Sequence, residues 1–441
     1  MMRFVRCPRA RALALAACAA LGSATAATAA ALSPAEERIV AEVKAGTPAA
    51  LALLERSVNI NSGTMNHAGV RAVGTLFRAE FDQLGFNTRW IEMPPAVQRA
   101  GHLVASHEGK QGKRLLLIGH LDTVFEPDSP VRAWERKGDR VSGQGVNDMK
   151  GGDVVILQAL RALQNTGALD NTQISVIFTG DEENAGEPRS ISRADLLALA
   201  RNSDLALAFE GTVLDKAGRA TATVGRRASS SFALDVKGKQ GHSMGVFTPA
   251  AGYGAIYEAA RILDAFRQQV VEPDLTYNPG LILGGTDVQY DESTSRGTAF
   301  GKTNVIANSV TVKGDLRYLD NAQRDRAHAT MRAIVAQNLA GTSATIRFSE
   351  GYPPMAATPG NLRILDQYSQ ASVDAGLGTV AALPAGLRGA GDIQFVAPLI
   401  DTLDGLGATG KGAHSPDEDL ELASIERAAI RSALLIYRLT R

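Results

Sequence analysis

Five short segments place acids or histidines where an apolar run or a loop ends. "LLLIGHLDTVF" carries His120 and Asp122 two residues apart, so both side chains leave an extended backbone on the same side. "GQGVNDMKGG" sets Asp148 among glycines ahead of a helix, "TGDEENAG" supplies Glu182 and Glu183, "LAFEG" supplies Glu210, and "GAHSPDE" adds His414 late in the chain. Read singly each is weak. A His-x-Asp pair arises often by chance, adjacent glutamates usually mark a solvated turn, and His414 alone reads as a loop histidine. Read together, two histidines and several carboxylates gather behind strand ends, which is the donor set of a metal site. Imidazole and carboxylate without thiolate suits zinc or cobalt. The hardest stretch to explain otherwise is "VIFTGDEENAG", where an apolar strand runs into Asp181, Glu182 and Glu183. Three like charges there repel and resist desolvation, and divalent cations would offset that cost.

The elements that must position these residues alternate. "SPAEERIVAEVKAGTPAALALLERSVNI" reads as helix with Ser33 as cap and Pro34 in the first turn, and a second amphipathic helix spans Val70 to Leu84, stopping at Gly85. "KRLLLIGHLD", "TQISVIFTG" and "SDLALAFEG" read as strands, with the helix "GGDVVILQALRAL" after the first. This pattern predicts an α/β layer with a mostly parallel sheet, in which ligands collect beyond the carboxyl ends of the strands. From about Gly225 to Ala344 the texture changes to strand, helix, strands, helix, strand, which predicts a small inserted α+β sandwich. The α/β texture then returns and ends in the helix "ASIERAAIRSALLIYRL".

A chain of 441 residues is too long for one ordinary core, which agrees with two units. Apolar residues at 45% and charged residues at 21% exclude a disordered chain, and 46 basic against 46 acidic residues give no nucleic-acid footprint. The first thirty residues differ from the rest. Arg3, Arg6, Arg9 and Arg11 precede an Ala/Leu run and repeated small-x-small sites, the pattern of a cleaved signal peptide over residues 1–30. That predicts a periplasmic or secreted protein. "LAAC" at Leu15 to Cys18 resembles a lipoprotein box, but the apolar run before the cysteine is short. Removing the leader takes away four arginines and both cysteines, so the mature chain is formally −4 and has no thiol for disulfide, metal or nucleophile. No later apolar run is long enough to cross a bilayer.

"GHLDTVF", "GVNDMKGG" and "TGDEENAG", in this order and spacing, resemble the dinuclear-zinc amidohydrolases that include glutamate carboxypeptidase, aminoacylases and succinyl-diaminopimelate desuccinylase. The likeness covers nearly all of the mature sequence. It implies a catalytic domain over 31–225 and 345–441, interrupted by a dimerisation or lid domain over 226–344, and a homodimer. It implies two zinc ions per subunit, with cobalt as the alternative. Asp148 would bridge them, His120 and Glu210 would complete one, and Glu183 and His414 the other. Asp122 would accept a hydrogen bond from His120 and fix its tautomer, and Glu182 would be the general base for a water made acidic by the metals. His242 in "GKQGHSMG" would reach the partner subunit's site. Arg317 in "GDLRYLD" and Asn304 in "KTNVIANS" would hold a substrate carboxylate, with Arg317 pairing to Asp315 or Asp320 as the plainer reading. "RGAGDIQF" departs from the family's Gly-Gly-Thr-Asp-Ala, so the substrate pocket near Gly391 and Asp392 is expected to differ. The expected reaction is hydrolysis of an N-acyl amino acid or peptide to release its C-terminal residue. An aminopeptidase or dipeptidase of the same fold, and a non-catalytic binding protein, are the alternatives.

Overall fold

The computed structural model describes residues 30–130, 133–292 and 295–441. The expected leader, with Cys7 and Cys18, lies outside the described residues up to position 29. The first helix, Pro34–Val58, starts in a capping box: the Glu36 amide donates to the Ser33 hydroxyl, and the Glu36 carboxylate accepts the Ser33 amide at 2.8 Å. Glu36 is also paired with Arg438 of the last helix, Leu422–Leu439, at 2.7 Å.

The larger layer is a six-stranded sheet in the order Asn87–Ile91, His102–His107, Thr172–Thr179, Gln111–His120, Leu205–Ala208, Asp401–Leu403. The last four strands are mutually parallel, and the first two form an antiparallel edge. The uninterrupted run Leu115–Ile118 is explained by burial on both faces. Leu115 and Leu117 join the core under helices Pro34–Val58, His67–Gln83, Gly151–Asn165 and Leu422–Leu439. Leu116 and Ile118 join a smaller core with Leu196, Ala200, Ile393 and Val396.

The inserted unit is a four-stranded antiparallel sheet in the order Thr276–Gly285, Ser309–Arg317, Ser229–Gly238, Thr342–Tyr352. Helices Ala255–Gln269 and Asn321–Val335 share its core with Phe232, Leu234 and Val236. The unit is entered and left at one place, where Arg226 and Met355 exchange two backbone hydrogen bonds of 2.9 and 3.0 Å. Its last strand runs to Tyr352, past the boundary of 344 expected from sequence. Apolar alternation stops at Phe348, whereas pairing to Ser229–Ser231 carries the strand through Ser349, Glu350 and Tyr352. A hairpin, Asp287–Asp291 with Arg296–Phe300, extends from the same unit. No described helix is long and apolar enough to cross a membrane.

A further small sheet joins Glu135–Lys137, Arg140–Ser142, Asp419–Glu421 and Gly410–Lys411. Its strands of two or three residues are too short to show periodicity in the sequence. They bring the loop carrying His414 beside the segment that leads to Asp148.

Candidate metal centre

Each chemistry-bearing residue lies at or just beyond the carboxyl end of a parallel strand, or in a loop folded over those ends. His120 ends its strand, Glu182 and Glu183 follow Thr172–Thr179, and Glu210 follows Leu205–Ala208. Asp148 sits in the turn Val146–Lys150 and is common to two groups. Its Oδ1 lies 3.3 Å from His120 Nε2, with Glu210 Oε1 3.6 Å from the same nitrogen. Its Oδ2 lies 3.2 Å from His414 Nε2, with Glu183 Oε2 3.0 Å from that nitrogen. Within each group, His120–Asp148–Glu210 and Asp148–Glu183–His414, the possible ligand atoms all lie within 4.8 Å of one another. Glu183 Oε1 is buried with no hydrogen-bond partner. An orphaned carboxylate oxygen and two nitrogen-and-oxygen triads that share one aspartate fit a pair of divalent cations.

The electrostatics point the same way. Burial, then the neighbouring carboxylates, push Glu182 well above the usual carboxylate range despite the opposing effect of His120. Burial and Asp148 push Glu183 up to about 7. Hydrogen bonds that its imidazole donates to the Asp148 and Glu183 carboxylates push His414 up to about 11. Burial would raise Asp148, but its contacts with His120 and His414 outweigh it and hold the carboxyl far below its usual value. Protons on the imidazoles thus stand where cations would neutralise the acids.

The shell around these groups sets their geometry. His120 Nδ1 lies 3.0 Å from the Asp122 main-chain oxygen and 3.5 Å from its carboxylate, so the carbonyl is the better partner. The Asp122 carboxylate accepts instead from the Thr64 hydroxyl at 2.7 Å and from the amides of Glu182 and Glu183 at 3.0 and 3.1 Å. It braces the acid-bearing turn. The third acid of that turn is paired. Asp181 receives Arg193 Nη1 at 2.6 Å, and Arg193 Nε reaches Asp392 at 2.8 Å, all three side chains being buried. The Glu418 carboxylate accepts the amides of Gly145, Asn147 and Asp148 at 3.1, 2.7 and 2.9 Å, tying the loop of His414 to that of Asp148.

A cleft of about 590 Å³ opens onto Asp148, Glu182, Glu183, Glu210 and His414. Arg317 of the inserted unit lines it, with its Nε 3.0 Å from Asp315, so it has both the place and the plainer pairing read from sequence. Arg189, Arg226 and Arg388 line it too. His242 and Asn304 are exposed neighbours, joined by the Ser243 amide donating to the Asn304 carbonyl at 3.0 Å, and neither is among the residues lining this cleft. Gly391 is buried behind the cleft wall rather than lining it. A Cβ there would fall 2.7 Å from Arg226 Nη1, which donates to the Gly389 and Ala390 carbonyls.

Residues 116–438 match the profile of peptidase family M20/M25/M40. The chain belongs to that family. It is 29% identical over 399 residues to carboxypeptidase G2 of Pseudomonas sp. (strain RS-16), covering 89% of each chain. Its fold is similar to that of a tripeptidase from Staphylococcus aureus, with a TM-score of 0.68 and 19% identity, over 90% of this chain and 99% of that one. It is also similar to that of a dinuclear metal binding M20 peptidase of Bacillus subtilis, with a TM-score of 0.63 and 14% identity, over 90% and 99%. This M20 chain is an enzyme of the metallopeptidase and amidohydrolase class.

Sequence reasoning missed Thr64, Arg193, Tyr352, Arg388 and Glu418. Glu418 sits four residues after His414 and carried a readable signal, a carboxylate beside a candidate ligand. Arg193 and Tyr352 carried none, because their partners are set by tertiary approach.

Proposed function

We propose that this M20 enzyme is an exported, dizinc metallocarboxypeptidase that hydrolyses the amide bond of N-acyl amino acids or peptides and releases the C-terminal amino acid. The observation that carries the reading is the meeting, in one cleft, of Glu182, Asp148, Glu183, Glu210, His414 and a set of arginines, with His120 buried next to Asp148. A guanidinium fork suits a free α-carboxylate because it makes two parallel charge-assisted hydrogen bonds. The likeness to a relative named carboxypeptidase supports the same polarity.

His120, Asp148 and Glu210 would hold one ion, and Asp148, Glu183 and His414 the other. Bound there, the ions supply Lewis-acid polarisation of the amide carbonyl and acidify water. The chain's own residues do the rest. Glu182, beside both triads, takes the proton of the attacking water and returns it to the departing amine nitrogen. Arg317 orients the substrate through its carboxylate. His242 and Asn304, exposed on the inserted unit, would be presented to the cleft of a second copy in a homodimer. The four-arginine leader supports export to the periplasm or beyond.

The test is a panel of N-acyl amino acids varied at the C-terminal residue, assayed with the zinc-loaded protein. Turnover should require the free carboxylate, and Glu182→Gln should keep its metal while kcat falls by about two to four orders of magnitude. A requirement for a free amine would make the enzyme an aminopeptidase instead. Mixed His242→Ala and Glu182→Gln homodimers should regain activity on subunit exchange, and no recovery after proven exchange would exclude the cross-subunit role.

A further inference from the structure

Tyr352 ends the strand Thr342–Tyr352, where the inserted unit hands the chain back to the larger layer. The ladder slips at Gly351, so Glu350 pairs with Ser230 and Tyr352 with Ser229. The slip requires glycine, since a Cβ at 351 would lie 1.9 Å from the Ser229 carbonyl oxygen. Such irregularities re-aim the side chain that follows. The Tyr352 ring lies 5.0 Å from that of Phe395, with the Arg189 guanidinium 5.6 Å from its centroid. Its hydroxyl donates to the main-chain carbonyl of Glu182 at 2.7 Å. Arg189, on the segment after Glu183, returns a bond of 3.3 Å to the Glu350 carbonyl. The Glu182 residue is therefore gripped from two sides. Its N–H is held by Asp122 of the larger layer at 3.0 Å, and its C=O by the last residue of the inserted unit's sheet.

We propose that Tyr352 is a positioning residue for Glu182: its hydroxyl fixes the Glu182 carbonyl, so the carboxylate is placed for proton transfer only while the inserted unit's exit strand keeps its seat. The inference rests on Glu182 as general base. A hydroxyl on a strand end suits this task, because it acts at the main chain and leaves the carboxylate open to the cleft.

Tyr352→Phe removes one oxygen and keeps the ring against Phe395. It should lower kcat about five- to tenfold, the loss of one well-made hydrogen bond. KM and metal content should stay at wild-type values, and Tm should fall by no more than the few degrees one lost hydrogen bond costs, whereas a structural role would lower Tm and metal content together and a substrate-binding role would raise KM. The same change in a Glu182→Gln background should leave the residual rate unchanged, because there is no base left to misplace. An unchanged kcat in Tyr352→Phe, an equal loss in both backgrounds, or a loss accompanied by missing metal overturns the proposal. Wild-type kcat in Glu182→Gln alone would remove the general-base reading, and this proposal with it. An inactive Glu182→Gln with additive effects removes only the role of Tyr352.

Discussion

The two candidate metal triads share Asp148 and are built in opposite ways. His120 is 1% exposed, ends a central strand and is surrounded by Asp122, Asp148 and Glu210. His414 is 57% exposed and sits on a loop with a φ of +64°, a left-handed conformation uncommon outside glycine. One half of the centre is part of the sheet's core, and the other is assembled at the rim by a loop that Glu418 and two short strands hold in place. The contrast teaches that ligands of one site can contribute very differently to the fold. The inner half is built into the sheet, whereas the outer half is held by a loop at its rim.

The largest effect should come from the residue both halves share. Asp148→Ala is expected to take metal content from two ions per chain to none and to abolish the rise in Tm that metal gives the folded state. Two ions retained in metal analysis would show that Asp148 is not shared. The halves should separate in the next experiment. His120→Ala leaves buried carboxylates without their partner and should cost about 3–5 kcal/mol even in metal-free protein. His414→Ala should lose one ion and, because its imidazole is 57% exposed and screened by solvent, should destabilise metal-free protein at neutral pH clearly less than His120→Ala does. Equal destabilisation of the two variants in urea would erase the distinction between inner and outer halves.

A smaller effect sharpens the same contrast through pH. His414 is pushed up to about 11 in the metal-free fold, above its unfolded value of ~6.5. A group whose folded pKa is raised stabilises fully below the unfolded value and ceases to do so as pH rises through the folded one. Metal-free wild type should therefore lose Tm relative to His414→Ala between about pH 6.5 and 11. Loading with zinc at pH 8 should displace that proton, so the calorimetric heat should vary with the ionisation enthalpy of the buffer. A heat independent of buffer would contradict the protonated imidazole. The smallest change is expected at Thr64→Val, which deletes the hydroxyl bonded to Asp122 and should cost about 0.5–1.5 kcal/mol with both ions retained.

The inner half was the more legible in the sequence. "LLLIGHLD", "SVIFTGDEE" and "LALAFE" each announce a buried strand and then its polar end, so His120, Asp122 and Glu210, and with them Glu182 and the outer ligand Glu183, could be read as strand-end candidates from local pattern. His414 joined the candidate set as a late loop histidine, but its place beside Glu183 was readable only by resemblance, because the strands that set its loop are two or three residues long. The three consecutive acids were recognised as a problem, but half of the solution was invisible: Asp181 is neutralised by Arg193, whose side chain is fixed by Asp392 some two hundred residues away. The departure "RGAGDIQF" was noticed, yet its meaning required the fold, since Asp392 serves Arg193 and Gly391 makes room for Arg226. The extent of the last inserted strand was likewise hidden, because backbone pairing and not side-chain alternation carries it from Phe348 to Tyr352.

The paired hydrogen bonds between Arg226 and Met355 have a consequence for how such an enzyme can be rebuilt. They make a seam at which the inserted unit is a cassette. A splice there needs only a two-residue hairpin turn to close the larger layer. Units of other lengths could be exchanged at the same seam without disturbing the pairing of Leu205–Ala208 with Asp401–Leu403. Tyr352, however, lies on the cassette side of the seam. Every replacement would bring its own grip, or none, for the carbonyl of Glu182.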